Sequence, residues 1–109
     1  MNKYTRSLSF IIVLVLGAVF CYTEVMAQSD NLVRNRLKRV ALGQADEVRT
    51  ELPDLLSEFP NDPGVKLLHA VLVDDAARAL PLFENIVRDY PQSEWADDAQ
   101  WRIVQIYAL

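Results

Sequence analysis

Apolar residues in the second half of the chain recur at steps of three and four, which is the spacing of one face of an α-helix. Over residues 44–58 the apolar positions are Ala45, Val48, Leu52, Leu55 and Leu56. Over residues 76–89 the apolar positions that follow this spacing are Ala76, Ala79, Phe83, Ile86 and Val87. The pattern therefore predicts two amphipathic helices, each with one face to bury against a neighbour.

Residues with special backbone or capping properties separate these segments and predict further helices. Asp30 and Ser93 are suitable N-cap residues. Gly43 falls where a left-handed residue commonly ends a helix, and Pro60 and Pro63 stop and turn the chain. The predicted helices cover residues 31–42, 44–58, 65–73, 76–89 and 94 onward. No segment alternates with the period of a strand, so the predicted fold class is all-α.

Pro53 and Pro81 fall inside two of the predicted helices. An interior proline removes a hydrogen bond and clashes with the preceding turn, which costs about 3 kcal/mol. We expect both helices to continue through their prolines with a kink. The alternative is that each helix begins near its proline, which would shorten both helices and weaken the repeat described next.

The chain repeats itself at a shift of 31 residues, which aligns residues 45–60 with residues 76–91. The same shift aligns Leu37 with Leu68 and with Ala99. Each unit reads as a helical hairpin, and such hairpins bury their apolar faces only by stacking on the next unit. Residues 28–109 are therefore predicted to form stacked antiparallel hairpins, with units at about 32–60 and 63–91 and a half unit at 94–109.

The first 27 residues have the organisation of a secretory signal peptide. Lys3 and Arg6 precede an apolar stretch of 15 residues, Leu8–Tyr22, which is shorter than the roughly 20 residues of a spanning helix. Val25 and Ala27 then provide small residues before a cleavage site. The sequence predicts export with cleavage after Ala27, hence a periplasmic protein. The alternative is an uncleaved N-terminal membrane anchor.

The side chains of residues 28–109 offer little chemistry. The only cysteine, Cys21, lies in the predicted signal peptide, and Phe20 before it disfavours lipidation. The single histidine, His69, has no cysteine or second histidine to form a metal site with it. We therefore expect no enzyme, no metal and no cofactor.

Charge argues against nucleic acid as a partner. The net charge is −4, and without residues 1–27 there remain 9 basic and 14 acidic residues. Phosphate contacts need clustered lysine and arginine. The one basic cluster, formed by Arg34, Arg36, Lys38 and Arg39, is interpreted as the solvated face of a helix.

The second helix of each unit resembles the tetratricopeptide repeat. The A-x3-F pattern of that family, with proline eight residues later, is matched by Ala79, Phe83 and Pro91, and more loosely by Val48, Leu52 and Pro60. Residues 90–99 (YPQSEWADDA) resemble turns of bacterial envelope members, such as the cell-division coordinator of the Tol-Pal system and an outer-membrane-assembly lipoprotein. The family's W-x2-L-G-x2-Y pattern is absent, which leaves another helical repeat or bundle as the alternative.

The resemblance implies a concave surface, lined by the first helix of each unit, that binds a protein or peptide. Carried onto this chain, the implied partner-binding residues are Val33, Leu37, Val40, Leu67, Val71, Asp98, Arg102 and Gln105, and Trp101 on the last helix is added as a further partner-binding candidate. The alternative for Asp98 and Arg102 is an ordinary solvated face, on which the two residues form an i,i+4 ion pair. The function that follows is an exported, protein-binding scaffold of the bacterial envelope.

The last helix is apolar on two sides. One side, predicted to pack on the second unit, carries Trp95, Ala96, Ala99, Ile103, Ile106 and Tyr107. The other carries Trp101, Val104, Ala108 and Leu109. Because such a helix expects neighbours on both sides, three explanations compete: the chain is the N-terminal part of a longer repeat protein, it self-associates into a homo-oligomer of an envelope assembly, or a partner covers this side.

Overall fold

The computed structural model describes the backbone of residues 3–109 and the side chains of residues 7–22, 24 and 27–109. The side chains of Lys3, Arg6 and Val25, which belong to the predicted signal, lie outside the described ones. Within this range the chain is all-helical, with no strand, which confirms the predicted class. The helices are α1 (Lys3–Ala41), α2 (Ala45–Glu58), α3 (Pro63–Leu72), α4 (Ala76–Asp89) and α5 (Glu94–Tyr107).

Three of the helices begin at a side chain that accepts hydrogen bonds from the first turn. Asp62 accepts from the backbone N–H groups of Gly64 and Val65, Asp75 caps α4, and Ser93 caps α5 as predicted. Helix α3 begins two residues before the predicted start because a cap at Asp62 is followed by a proline at the first helical position, where its missing N–H is not needed.

The turn after α1 and the two interior prolines also follow the sequence. Gly43 has φ +88°, the left-handed conformation predicted for it. Helices α2 and α4 continue through Pro53 and Pro81, so the alternative in which each helix begins near its proline is wrong. The expected kinks stay a prediction.

The predicted start of the first helix at Asn31, with Asp30 as its cap, is wrong. Helix α1 runs without interruption from the apolar N-terminal segment to Ala41. Since the preceding turns already accept the N–H groups around residue 30, no N-cap is needed there. Asp30 instead accepts a hydrogen bond from the indole N–H of Trp95, on α5.

Helix α3 lies at the centre of the packed helices and contacts each of the other four. The remaining close backbone contacts join α1 to α2 and α4 to α5, so the backbones of the described helices approach closely only one or two places apart in the chain. A helix surrounded in this way must be apolar on most sides. The buried residues of α3 are Pro63, Gly64, Val65, Leu67, Leu68, Ala70 and Leu72.

Helix α5 buries the side that was predicted to pack on the second unit, with one exception. Trp95, Ala96, Ala99 and Ile103 are buried, and Ile106 is half-buried. Tyr107 is exposed. Helix α3 ends at Leu72, which the shift of 31 residues aligns with Ile103, so the last turn of α5 extends beyond the end of α3. The opposite side, including Trp101, Val104 and Leu109, is exposed as expected.

The apolar N-terminal part of α1 is solvent-exposed in the folded chain. The described structure contains one helix, Ser7–Ala41, whose length and composition would allow it to cross a membrane, and its apolar window is fully exposed. A signal sequence near an N-terminus has the same properties. The segment is therefore compatible with a signal peptide or with a membrane anchor.

Candidate functional site

A groove of about 580 Å³ lies over α3, between α1 and α5. It exists because both flanking helices pack against α3 and have no backbone contact with each other. Its lining residues are Leu37, Val40, Ala41, Leu67, Val71, Asp98, Trp101, Arg102 and Gln105. We call this feature the α1–α3–α5 groove.

Eight of the nine candidate partner-binding residues line this groove, seven implied by the family resemblance and the eighth Trp101, and the ninth, Val33, does not. Val33 is 0% exposed and belongs to the hydrophobic core, so it is inaccessible to a partner. Ala41 lines the groove and was not implied by the resemblance. A helical step of four from Leu37, on the same face of α1, is the sequence signal that could have found it.

The base of the groove is apolar. Leu67 is buried, and Leu37, Val40 and Val71 are half-buried, so each of these three presents part of an aliphatic side chain to solvent. Burying partly exposed apolar area on binding contributes roughly 25 cal/mol per Å² removed from water. The base can therefore bind apolar side chains.

The wall formed by α5 is polar except for one aromatic residue. Asp98, Arg102 and Gln105 are exposed and follow one another at about one helical turn. Trp101 is 63% exposed and lines the same wall. A groove with an apolar base, an exposed indole and a few polar groups has the composition found at protein-binding surfaces.

The ion pair that was the alternative for Asp98 and Arg102 does not form. Among the ion pairs of the described side chains, neither residue takes part in one. Nothing in the structure explains why the two side chains stay apart. Both charges therefore face the groove without an internal partner.

One end of the groove is tied by a contact between its two walls. Arg34 on α1 pairs with Glu94 on α5, and its guanidinium lies 4.9 Å from the ring centroid of Trp95. Arg34 lies one turn before Lys38, and Glu94 one turn before Asp98, so this contact precedes the open part of the groove. It fixes the spacing between α1 and α5 at that end.

The basic cluster of α1 is not simply a solvated face, contrary to the sequence interpretation. Arg36 Nε donates to Glu51 Oε2 at 2.8 Å, and Arg39 Nη1 donates to Glu51 Oε1 at 2.7 Å. Arg39 also binds Glu47 at 3.1 Å. These pairs join α1 to α2, and together with Arg34 they leave only Lys38 of the cluster without an ion pair.

The same pairs shift two pKa values. The hydrogen bond from Arg39, followed by that from Arg36, holds the pKa of Glu51 below its ordinary value despite some opposing desolvation. The hydrogen bond to Glu51, followed by that to Glu47, raises the pKa of Arg39. A carboxylate held ionised between two guanidinium groups is a poor general acid or base near pH 7, so this cluster joins two helices and does not form a reactive site.

A smaller hollow of about 270 Å³ extends the groove towards α4. Val71, Arg102 and Gln105 line both. The hollow also reaches Phe83 and Ile106, so its surface is largely apolar. An extended segment lying in the groove could follow this path along α3 and α5.

Other candidate chemistry is sparse, and comparison with known proteins adds none. His69 is half-buried on α3, and among the described residues no three His, Cys, Asp or Glu side chains come together as a metal site would require. No protein-family model, no curated protein and no solved structure matches the chain. The function must therefore be argued from the groove itself.

Proposed function

We propose that this protein is an exported scaffold of the tetratricopeptide type that binds a protein or peptide segment in the α1–α3–α5 groove. The observation that carries the proposal is the lining of that groove. Seven residues implied by a family resemblance, together with the further candidate Trp101, line one cavity in the folded chain. The proposal includes no catalytic activity, no cofactor and no nucleic acid.

The order of the helix contacts supports a repeat architecture. Close backbone contacts join only described helices that are one or two places apart, and α3 lies between α1 and α5. This is the arrangement that a stack of hairpins produces, because each unit contacts only its neighbours.

Export is supported by the N-terminal segment. Its charge, apolar run and small-residue site follow the order of a signal peptide, and its apolar window is exposed in the folded chain. We propose a periplasmic location with the envelope as the place of action. Retention by an uncleaved anchor would present the same groove at the membrane surface.

Peptides that bind the full chain in detergent can be selected from a random library. Their affinities for variants of the chain then test the proposed groove. We expect Trp101→Ala to weaken a selected peptide by tenfold or more, because exposed aromatic residues often dominate such interfaces (about 2 kcal/mol or more each). Val71→Glu should act similarly by charging the base of the groove. Asn85→Ala, on exposed α4, is the matched control. Equal affinities of the selected peptide for wild type and all three variants would show that the groove is not its binding site.

Self-association is a second candidate, favoured by the other side of α5. Val104 is exposed there and does not line the groove, so Val104→Glu separates the two functions. Sedimentation of the full chain in detergent should show an oligomer that Val104→Glu dissociates while peptide binding persists. A monomer at all concentrations excludes this candidate.

A further inference from the structure

The residues directly after the candidate cleavage site are held inside the fold. Ser29 is 0% exposed, and Asp30 is half-buried. Asp30 Oδ1 accepts a hydrogen bond from Nε1 of Trp95 at 3.0 Å, and Trp95 is itself only 2% exposed. The bond between Ala27 and Gln28 therefore lies less than one helical turn from a buried contact.

This contact joins α1 to the first turns of α3 and α5. Asp30 belongs to α1 and Trp95 to the first turn of α5. Gly64, in the first turn of α3, lies so close to the indole that an added Cβ would be 2.8 Å from Nε1. Pulling Asp30 away therefore breaks a charge-assisted hydrogen bond and opens a closely packed junction.

A processing protease needs the opposite conformation. Such enzymes bind their substrate as an extended strand, with substrate backbone groups paired to the enzyme. In α1 the backbone groups around Ala27 and Gln28 are paired within the helix. Cleavage of the folded chain therefore requires α1 to unwind through Gln28. On the C-terminal side of the bond, this unwinding reaches Ser29 and Asp30.

We propose that the Asp30–Trp95 contact protects the Ala27–Gln28 bond from signal peptidase once residues 28–109 have folded. The inference rests on the proposed export. Hydrolysis adds the hydroxyl of water to the Ala27 carbonyl carbon and its hydrogen to the Gln28 nitrogen, so no further reactant is involved. Cleavage before folding releases the domain, and folding before cleavage leaves it attached to its apolar helix.

The contact is compatible with both products. After cleavage Gln28 begins the chain, and Asp30 lies in the first turn of the shortened helix, where a carboxylate favours the helix dipole. It can still accept from Trp95, since neither group is removed. The Asp30–Trp95 contact therefore determines the time of processing and leaves the fold of the product unchanged.

The test uses the folded full chain in detergent with purified signal peptidase, and mass spectrometry follows the product that begins at Gln28. Trp95→Phe keeps an aromatic ring and removes the N–H donor, far in sequence from the bond that is cut. We expect cleavage to accelerate about tenfold or more, as loss of a hydrogen bond to a charged group shifts a local opening equilibrium. Equal rates for Trp95→Phe and wild type overturn the inference.

Two controls separate local opening from other causes. Gly43→Ala destabilises the far end of α1 and should leave the cleavage rate unchanged. If it accelerates cleavage as much as Trp95→Phe does, global unfolding exposes the site and the inference fails. Phe83→Asp, which removes a core residue, should unfold the domain and be cut fastest.

The same controls distinguish the inference from the proposed export. If Phe83→Asp is cut after Ala27 and folded wild type is cut equally fast, export by a cleavable signal stands and the protective contact is rejected. If Phe83→Asp is not cut after Ala27, the cleavable signal itself is rejected, and protection of that bond is rejected with it.

Discussion

The indole of Trp95 lies against the backbone of Gly64, leaving no room for a side chain at that position. An added Cβ would come within 2.8 Å of Nε1 and 2.9 Å of Cε2. The first turns of α3 and α5 therefore approach each other as closely as a glycine permits. This approach positions the two helices that form the base and one wall of the α1–α3–α5 groove.

We predict that Gly64→Ala destabilises the folded chain by about 2 kcal/mol, because the buried ring must move to accommodate the methyl group. Urea unfolding followed by circular dichroism measures the change. In a Trp95→Leu background the same substitution should cost much less, since contacting residues are not additive. An unchanged cost in that background would show that the clash lies elsewhere.

Arg49 provides a second contact between helices, from α2 to the end of α3. Its Nε and Nη2 donate to the carbonyl of Leu72 at 3.2 and 3.1 Å, and Nη2 also binds Asp74 at 2.6 Å. Leu72 is the last residue of α3, so its carbonyl lacks a partner within the helix.

We predict that Arg49→Lys lowers the free energy of unfolding by about 1 kcal/mol, because lysine keeps the charge and loses the forked donor. Chemical denaturation measures it. Arg88→Lys is the matched control, since Arg88 pairs only with the adjacent, exposed Asp89, and it should change stability little. Equal losses at both positions would contradict a specific role for Arg49.

The Glu51 pairs predict a pH dependence. The pKa of Glu51 is lower in the folded chain than its ordinary value of 4.5, so the unfolded chain binds the proton first as pH falls. Its contribution to stability is therefore complete above about pH 5 and is lost as pH falls through the depressed folded pKa. Arg39 stays charged throughout this range.

We expect Glu51→Gln to reduce stability at pH 7 by less than about 1 kcal/mol, because partly exposed pairs are screened by solvent. It should also flatten the acid side of the stability profile, measured as unfolding free energy against pH. Glu84→Gln, at an exposed position, should leave that profile unchanged. If the unfolding free energy of Glu51→Gln falls as steeply with decreasing pH as that of wild type, the ion pairs of Glu51 do not cause the pH dependence.

Truncation of a core residue should reduce stability, whereas truncation of a groove residue should reduce peptide binding. Leu68 is fully buried, and Leu68→Ala should cost about 2–5 kcal/mol. Trp101 is mostly exposed, so Trp101→Ala should change stability by no more than about 0.5 kcal/mol while weakening a bound peptide. Thermal unfolding of both variants tests this. A large loss of stability in Trp101→Ala would show that the indole stabilises the fold.

Local sequence signals predicted most of the helices. The bounds of α2 and α4 and the start of α5 follow from caps, prolines and the left-handed Gly43, all of which act within a few residues. The repeat shift places equivalent helices side by side, which is why most groove residues could be selected without coordinates. Val33 fails because periodicity identifies a helix face and does not tell which part of that face a neighbour covers.

The contacts that sequence reasoning missed join distant residues. Trp95 and Asp30 are 65 positions apart, and no local pattern links them. Asp30 was assigned as a cap because a polar residue precedes an amphipathic segment, whereas the apolar N-terminal helix simply continues through it. The arginines of α1 were interpreted as solvated because their partners lie on α2, and pairing across a hairpin depends on its packing angle.

Site-specific photocrosslinking in cells tests the central claim most directly. A photoreactive amino acid at position 41 of the full chain lies in the groove and keeps Trp101, and one at position 85 lies on exposed α4 as the control. The account predicts a discrete protein adduct from position 41, lost when Val71→Glu is added, and none from position 85. Equal adducts from both positions, or an adduct from position 41 that persists with Val71→Glu, would contradict a binding groove between α1, α3 and α5.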